Sequence, residues 1–149
     1  ELRLAEGWSS RLALAHADGT VIGPDGSRTP LDTIDPFTLV AAAGYRDPGG
    51  RFGGELILTH NARKRADEVE RAADGSDLFV RPAASTILDL TAFVALTERL
   101  KLRAGIFNLT NARYALWSDV RGLRLADAAI AEAFTRPGRN LSLAASYRF

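Results

Sequence analysis

Connections between strand-like segments alternate strictly in size along this chain, and that restricts its fold more than any other feature. Residues 6–7, 47–50 and 97–99 form tight turns, whereas residues 18–36, 62–84 and 112–138 are long. The segments between them alternate apolar and polar side chains with period two, the signature of a β-strand with one greasy face. Phe37, Leu39, Ala41, Ala43 and Tyr45 share one face of residues 37–46, against Thr38, Val40, Ala42, Gly44 and Arg46. Past Asp47-Pro48-Gly49-Gly50, Phe52, Gly54, Leu56 and Leu58 lie opposite Glu55, Thr59 and Asn61. A Pro-Gly turn this short between two such runs predicts a hairpin. A second pair follows: Thr86, Leu88, Leu90, Ala92, Val94 and Leu96, then Leu100, Leu102, Ala104 and Ile106. Trp8, Leu12 and Leu14 alternate near the start, and Leu2 and Leu4 resemble the tail of an earlier strand. The last run places Leu141, Leu143, Ala145, Tyr147 and Phe149 opposite Asn140, Ser142, Ala144, Ser146 and Arg148. The fold class is all-β, with about six antiparallel strands plus a remnant.

A soluble sandwich carries the same period, with the apolar face turned inward. Its connections, however, are mostly short, and structureless stretches of about 20 residues are uncommon. Short turns on one side and long loops on the other are expected of a transmembrane β-barrel. Residues 37–46, 52–61, 85–96 and 139–149 also match the roughly 9–11 tilted residues that cross a hydrocarbon core. Trp8, Phe37, Tyr45, Phe52, Tyr147 and Phe149 fall at strand ends on the apolar face, where interfacial aromatics belong. The 149 residues fit one domain, and the formal net charge of +1 supplies no basic field for nucleic acid. Without cysteine, disulfide scaffolds and thiol nucleophiles are excluded. No Ser-His-Asp elbow, phosphate-binding glycine loop or metal-spaced histidine pair is present, so no enzyme is expected.

Two segments carry a family resemblance. Gly105-Ile106-Phe107-Asn108-Leu109-Thr110-Asn111-Ala112-Arg113-Tyr114 resembles the penultimate strand of the TonB-dependent outer-membrane receptors, written G-v-x-N-L-x-D-x-x-Y, with Asn111 where the family often has Asp. Arg136-Pro137-Gly138-Arg139-Asn140 and the run to Phe149 resemble that family's last strand. Asp35-Pro36, Gly44-Tyr45 and Leu88-Asp89-Leu90 fall in the family's order. Tyr114 to Gly122, with Trp117 at its centre, looks most like the haem, haemoglobin and transferrin receptor branch.

The resemblance implies that residues 1–149 are the C-terminal segment of a 22-stranded barrel, lacking the plug domain and earlier strands. It implies an outer-membrane location and a receptor for TonB-energised uptake of haem or another iron source. Partners on this reading are outer-membrane lipid, the rest of the barrel and plug, the TonB complex through the missing N-terminal part, and the barrel-assembly machinery. A haem-carrying host protein is a further candidate partner, and haem a candidate transported ligand. No cofactor or metal is expected on this segment. Leu141, Leu143, Ala145, Tyr147 and Phe149 stand as the assembly signal. Gly105, Asn108, Leu109, Tyr114, Trp117, Pro137, Gly138 and Arg139 carry the family pattern. Competing readings are a siderophore or cobalamin receptor, a passive porin-like barrel, and a non-functional fragment. By parity His16 and His60 face outward, suited to an interfacial position more than to haem ligation. Tyr114 and Trp117 are expected to anchor their loop at the membrane edge. The helical spacing of Leu123, Ala126, Ala129, Ile130, Ala133 and Phe134 predicts a helical turn or two packed on neighbouring loops.

Overall fold

The computed structural model describes residues 2–149, with side chains for residue 2 and residues 6–149. Seven strands form one antiparallel sheet: β1 (Leu2–Ala5), β2 (Trp8–Ala15), β5 (Thr38–Arg46), β6 (Phe52–Asn61), β7 (Ser85–Ala95), β8 (Leu100–Phe107) and β9 (Asn140–Tyr147), paired in that order. The expected remnant is therefore a strand, β1, zipped to β2 through Leu2↔Ser10 and Arg3↔Ser9. Each strand neighbours the next long strand in sequence, as in a meander. Gly7 makes the first tight turn with φ +80°, and a Cβ there would meet the Arg46 carbonyl oxygen at 2.5 Å.

Register settles which residues share a face, because a slip of one residue would turn every side chain over. One row runs Ser10↔Ala43↔Leu56↔Leu90↔Ile106↔Leu141 across six strands. The row beside it runs Trp8↔Tyr45↔Gly54↔Ala92↔Ala104↔Leu143. Between these rows, with opposite parity, runs Ser9↔Gly44↔Glu55↔Thr91↔Gly105↔Ser142. The period-two pattern of the sequence thus becomes one largely apolar face and one mixed face, where Ser9, Glu55, Thr91 and Ser142 alternate in rows with Val40, Ala42, Ile57, Ile87 and Phe93.

The apolar face is not the core. Leu12, Leu14, Leu56, Leu90, Val94, Leu141 and Leu143 are all exposed, Leu143 to 79%. The buried apolar side chains among the described residues are Ala42 and Ile87 on the opposite face, and Val69, Trp117 and Val120 in the long connections. A sandwich would show the reverse. Contiguous apolar surface of this extent marks a face that meets something other than water. The sheet is a wall with a greasy exterior.

Trp8, Tyr45 and Phe52 gather at the tight-turn end, with ring centroids 5.1 and 5.9 Å apart. Tyr147 meets Phe149 edge-on at 5.3 Å at the same end of the sheet. Phe37 lies at the far end, half-buried and one residue outside β5, with its carbonyl accepting from the Ala62 N–H at 2.9 Å.

The long connections are more ordered than their composition suggests. Residues 18–36 contain a hairpin, β3 (Thr20–Ile22) with β4 (Arg28–Pro30), forming a separate two-stranded sheet. A 3₁₀ turn at Ala66–Glu68 is closed by the Arg65 N–H donating to Glu68 at 3.0 Å. The third connection holds α1 (Trp117–Val120) and a 3₁₀ stretch, Leu125–Phe134, kinked at Asp127. Its apolar stripe does not pack away as expected: Ile130 and Phe134 stay exposed, and Leu123 is only half-buried. Among the described residues no helix is long and apolar enough to cross a membrane.

Arg at Leu56, Leu90 or Leu143 should destabilise the assembled barrel by about 2–4 kcal/mol if these positions sit near the hydrocarbon midplane. Arg at Thr91 or Ser142, on the opposite face, should cost far less. Folding titrations in lipid of the full receptor containing this segment check this; equal costs at both sets would contradict the assignment of faces.

Candidate functional site

The long connections leave one end of the sheet together and are tied to one another there. The tie begins at the end of β8, where Asn108 is only 3% exposed and adopts φ +52°. Asparagine tolerates this left-handed region better than other residues bearing a Cβ. Its N–H donates to Asp89 Oδ1 at 2.8 Å, which fastens it to β7. Its side-chain amide donates to the Ala112 carbonyl at 2.8 Å and the Pro137 carbonyl at 3.2 Å, while its Oδ1 accepts from the Ala112 N–H at 2.8 Å. One side chain therefore closes the loop's departure and touches its return.

Asn111 repeats the device with φ +55°, and its Oδ1 accepts from the Arg139 N–H at 2.8 Å. An Asp at this position would accept the same bond, so the departure from the family pattern leaves the contact intact. A Cβ at Gly138 would lie 2.7 Å from Asn111 Oδ1, so a side chain there would displace the amide that accepts from Arg139. Leu109 donates its N–H to the Leu88 carbonyl at 2.7 Å, and the Tyr114 carbonyl accepts from the Arg136 N–H at 2.8 Å. Gly105 is buried, with the Phe107 ring 3.0 Å from where its Cβ would stand. The structure thus brings Asn108, Leu109, Asn111, Pro137, Gly138 and Arg139 together.

Trp117 does not anchor the membrane edge. It is 3% exposed, and its indole Nε1–H donates to the Asp32 carbonyl of the first connection at 2.6 Å. Lys64 of the second connection is equally buried; its ammonium donates to the Ile34 carbonyl at 2.7 Å and stands 6.0 Å above the Trp117 ring. The indole needs a partner when buried, and the loop carbonyl supplies it. Val80 donates its N–H to the Leu123 carbonyl and Leu125 to the Leu78 carbonyl, each at 2.9 Å. Arg81 donates to the Lys64 carbonyl at 3.0 Å and pairs with Asp77. All three long connections therefore meet around Trp117, a junction whose signal in the sequence was only a lone Trp in a loop. Tyr114 is half-buried.

Arg136 grips Asp119 with two bonds of 2.8 and 2.6 Å. Those bonds, reinforced by the Leu116 N–H at 3.0 Å, hold the Asp119 carboxyl below its ordinary range despite partial burial. A cavity of about 520 Å3 opens between the β3–β4 hairpin and the second connection, lined by His16, Arg28, Leu31, Lys64 and Glu68. His16 lies just past β2, 3.1 Å from Asp18, and His60 shares a hydrogen bond of 2.8 Å with Thr86. Among the described residues no cluster of three metal-ligating side chains occurs.

A transmembrane β-barrel wall carrying a tied loop cap on one end is the class of protein that this geometry defines. No family model matches the sequence. Curated relatives do. A hemoglobin and hemoglobin-haptoglobin-binding protein of Haemophilus ducreyi is 37% identical over 102 residues, 64% of this chain and 10% of that one. Hemoglobin-binding protein A of Haemophilus influenzae is 30% identical over 135 residues, 80% of this chain and 13% of that one. Lactoferrin-binding protein A of Neisseria meningitidis is 32% identical over 128 residues, 80% of this chain and 14% of that one. Among solved structures the copper transporter OprC superposes with a TM-score of 0.75 at 22% identity, covering 99% of this chain and 22% of that one. That likeness establishes the fold. The chain spans about a tenth to a seventh of the length of these three relatives. Strand order, motif and relatives together place it in the TonB-dependent receptor family, as a segment of the barrel.

Trp117→Ala should destabilise the loop cap by roughly 3–5 kcal/mol, the range for removing a buried aromatic. Trp117→Phe should cost less, since it keeps most of the ring contact and loses the bond to Asp32. Hydrogen exchange at residues 31–36 and 117–124 of the full receptor should rise in that order while β5–β7 stay protected. For Asp119 the carboxyl is lowered in the folded protein, so its contribution is complete above its ordinary value of 3.8 and is lost as pH falls through the lower folded value. Protease cutting of the third connection should therefore rise only below about pH 4, and Asp119→Asn should be cut faster at neutral pH too.

Proposed function

We propose that this segment belongs to an outer-membrane receptor that captures haem or iron held by a host protein and passes it inward using energy from a TonB complex. One observation carries the reading: three long connections converge on Trp117 and form a shared cap above a wall with a greasy exterior. A cap built from separate loops presents a broad, irregular surface, suited to a protein ligand more than to a small solute. The names of the relatives, haemoglobin-binding and lactoferrin-binding, favour the same ligand class. On this reading the plug, the TonB-contacting segment and the remaining strands of a 22-stranded barrel lie in the rest of the receptor. Haem is cargo and not a resident cofactor.

Leu141, Leu143, Ala145 and Tyr147 on β9, with Phe149 beyond it, are proposed to serve the barrel-assembly machinery. All of β9 is exposed, and one strand edge stays unpaired within the sheet order. Such an edge is a template for pairing. The aromatics Trp8, Tyr45 and Phe52 are proposed to sit at the periplasmic interface, and Phe37 at the outer one.

The topology has a direct test. Cysteine placed at Gly75, in the second long connection, should react with an impermeant thiol reagent on intact cells, while cysteine at Gly49 should not; the opposite pattern would invert the barrel. The ligand class is tested by growth under iron starvation. Cells relying on the full receptor should grow on haemoglobin or on an iron-binding host protein, and removal of residues 113–135 should abolish binding without loss of heat-modifiable barrel. Growth on siderophores alone would overturn the proposal.

A further inference from the structure

Two adjoining cavities at the rim of the wall are accounted for neither by the ties within the cap nor by strand pairing. On the outward face the apolar rows end at Leu14↔Leu39↔His60↔Thr86, where His60 and Thr86 share a bond of 2.8 Å. His16 and Phe37 carry the same parity one step beyond the ends of β2 and β5. A cavity of about 330 Å3 lies at that step, with Pro36, Phe37, Ala62 and Arg63 in its lining. The cavity of about 520 Å3 beside the β3–β4 hairpin shares His16, Arg65 and Glu68 with it, so the two adjoin. Each falls within the roughly 300–1,000 Å3 of small-molecule sites.

The charges around these cavities are unevenly compensated. Asp18 has His16 at 3.1 Å, and Asp67 takes two bonds from Arg65 at 3.0 and 2.8 Å. Glu68 accepts from the Arg65 N–H at 3.0 Å. Arg28 in the larger cavity and Arg63 in the smaller have no carboxylate within ion-pair distance among the described residues. Both are exposed and belong to the rim. Deeper in the larger cavity stands Lys64, 3% exposed. Its ammonium gives one N–H to the Ile34 carbonyl at 2.7 Å and reaches Glu68 only at 3.8 Å. An ammonium has three donors, and burial penalises those left without a close acceptor.

These features select a class of occupant. Hydrocarbon would strip water from Lys64 and Glu68 without replacing its bonds. A lone carboxylate or phosphate would meet one open cation and face the acids as well. A head group whose hydroxyls both donate and accept, with phosphates at its edge, suits the paired acids and the two open cations together. Phe37 and the leucine rows set the smaller cavity against lipid on the barrel reading, so this head group arrives on a lipid.

We propose that the two cavities seat the phosphorylated sugar head group of an outer-leaflet glycolipid, with phosphate on Arg28 and Arg63 and sugar hydroxyls along Lys64 and Glu68. The proposal rests on the barrel reading and adds a lipid ligand that fastens the β3–β4 hairpin to the membrane rim.

The test uses the full-length receptor, purified from outer membranes in detergent and stripped of lipid. Deep-rough lipopolysaccharide, which keeps the phosphates and innermost sugars, is titrated against it, and bound lipid is counted by native mass spectrometry. Saturable binding should weaken about fivefold for Arg28→Gln and for Arg63→Gln, the factor expected for one cation at an anionic head group. Arg124→Gln, at a position that lines neither cavity, should leave it unchanged. Hydrogen exchange at residues 19–31 should slow when the glycolipid is added. Unchanged affinity in both cavity variants would overturn the proposal, as would equal binding of phosphatidylglycerol, which is anionic but lacks sugars. So would full displacement by inorganic phosphate. A receptor that is missing from the outer membrane or is not heat-modifiable would instead refute the barrel reading beneath it.

Discussion

Every backbone N–H and C=O that enters hydrocarbon has to find its partner within the protein, and the rest of this structure depends on that constraint. A helix of about 20 apolar residues is one solution, and a sheet closed on itself is the other. Here the sheet carries the ladder, and its antiparallel register is continuous from β2 to β9. Once the ladder is satisfied, the side chains are free to differ on the two faces. The outer one takes Leu, Val and Ala. The inner one mixes Ser, Thr, Glu, Arg and glycine with Val40, Ala42, Ile57, Ile87 and Phe93.

The same constraint separates wall from cap. On the wall, burial against lipid does the work that a hydrophobic core does in a soluble domain, so few strand residues are buried by protein. In the cap, water surrounds the chain and ordinary packing returns: Val69, Trp117 and Val120 are buried, and Lys64 is enclosed with its ammonium satisfied. Asn108 stands at the boundary. Its bonds to Asp89, Ala112 and Pro137 turn the end of a strand into the base of a loop that the other loops can lean on. Wall and cap are joined by that hinge of polar contacts, so a perturbation there should loosen the cap before it reaches the barrel.

The wall was legible in the sequence because its periodicity is local: each strand announces its own face, and turn chemistry marks the ends. Leu90 and Leu143 could be placed side by side in function before any pairing was known. The cap was not legible, because its contacts join residues far apart in the chain. Trp117 bonds Asp32 across 85 positions, and neither residue signals the other. The β3–β4 hairpin did have a local signal, the Pro24-Asp25-Gly26 turn between Val21-Ile22 and Arg28-Thr29, and it was obscured by the length of the connection around it. The left-handed backbone at Asn108 and Asn111 was not read from the sequence: the family pattern singled out the positions, and asparagine tolerates that conformation without requiring it. Exposure of Ile130 and Phe134 ran against the usual inference from helical spacing, since a 3₁₀ stretch with a kink at Asp127 spreads its apolar residues over more than one side.

The central claim is that the sheet separates lipid from a wet interior, and β7 tests it most directly. Spin labels placed one at a time from Leu88 to Val94 in the full receptor, reconstituted in bilayers, report access to oxygen, which concentrates in lipid, and to a water-soluble nickel complex. The account predicts oxygen maxima at Leu88, Leu90, Ala92 and Val94, with nickel access favoured at Asp89, Thr91 and Phe93. A flat profile, or one with the two sets exchanged, would contradict it.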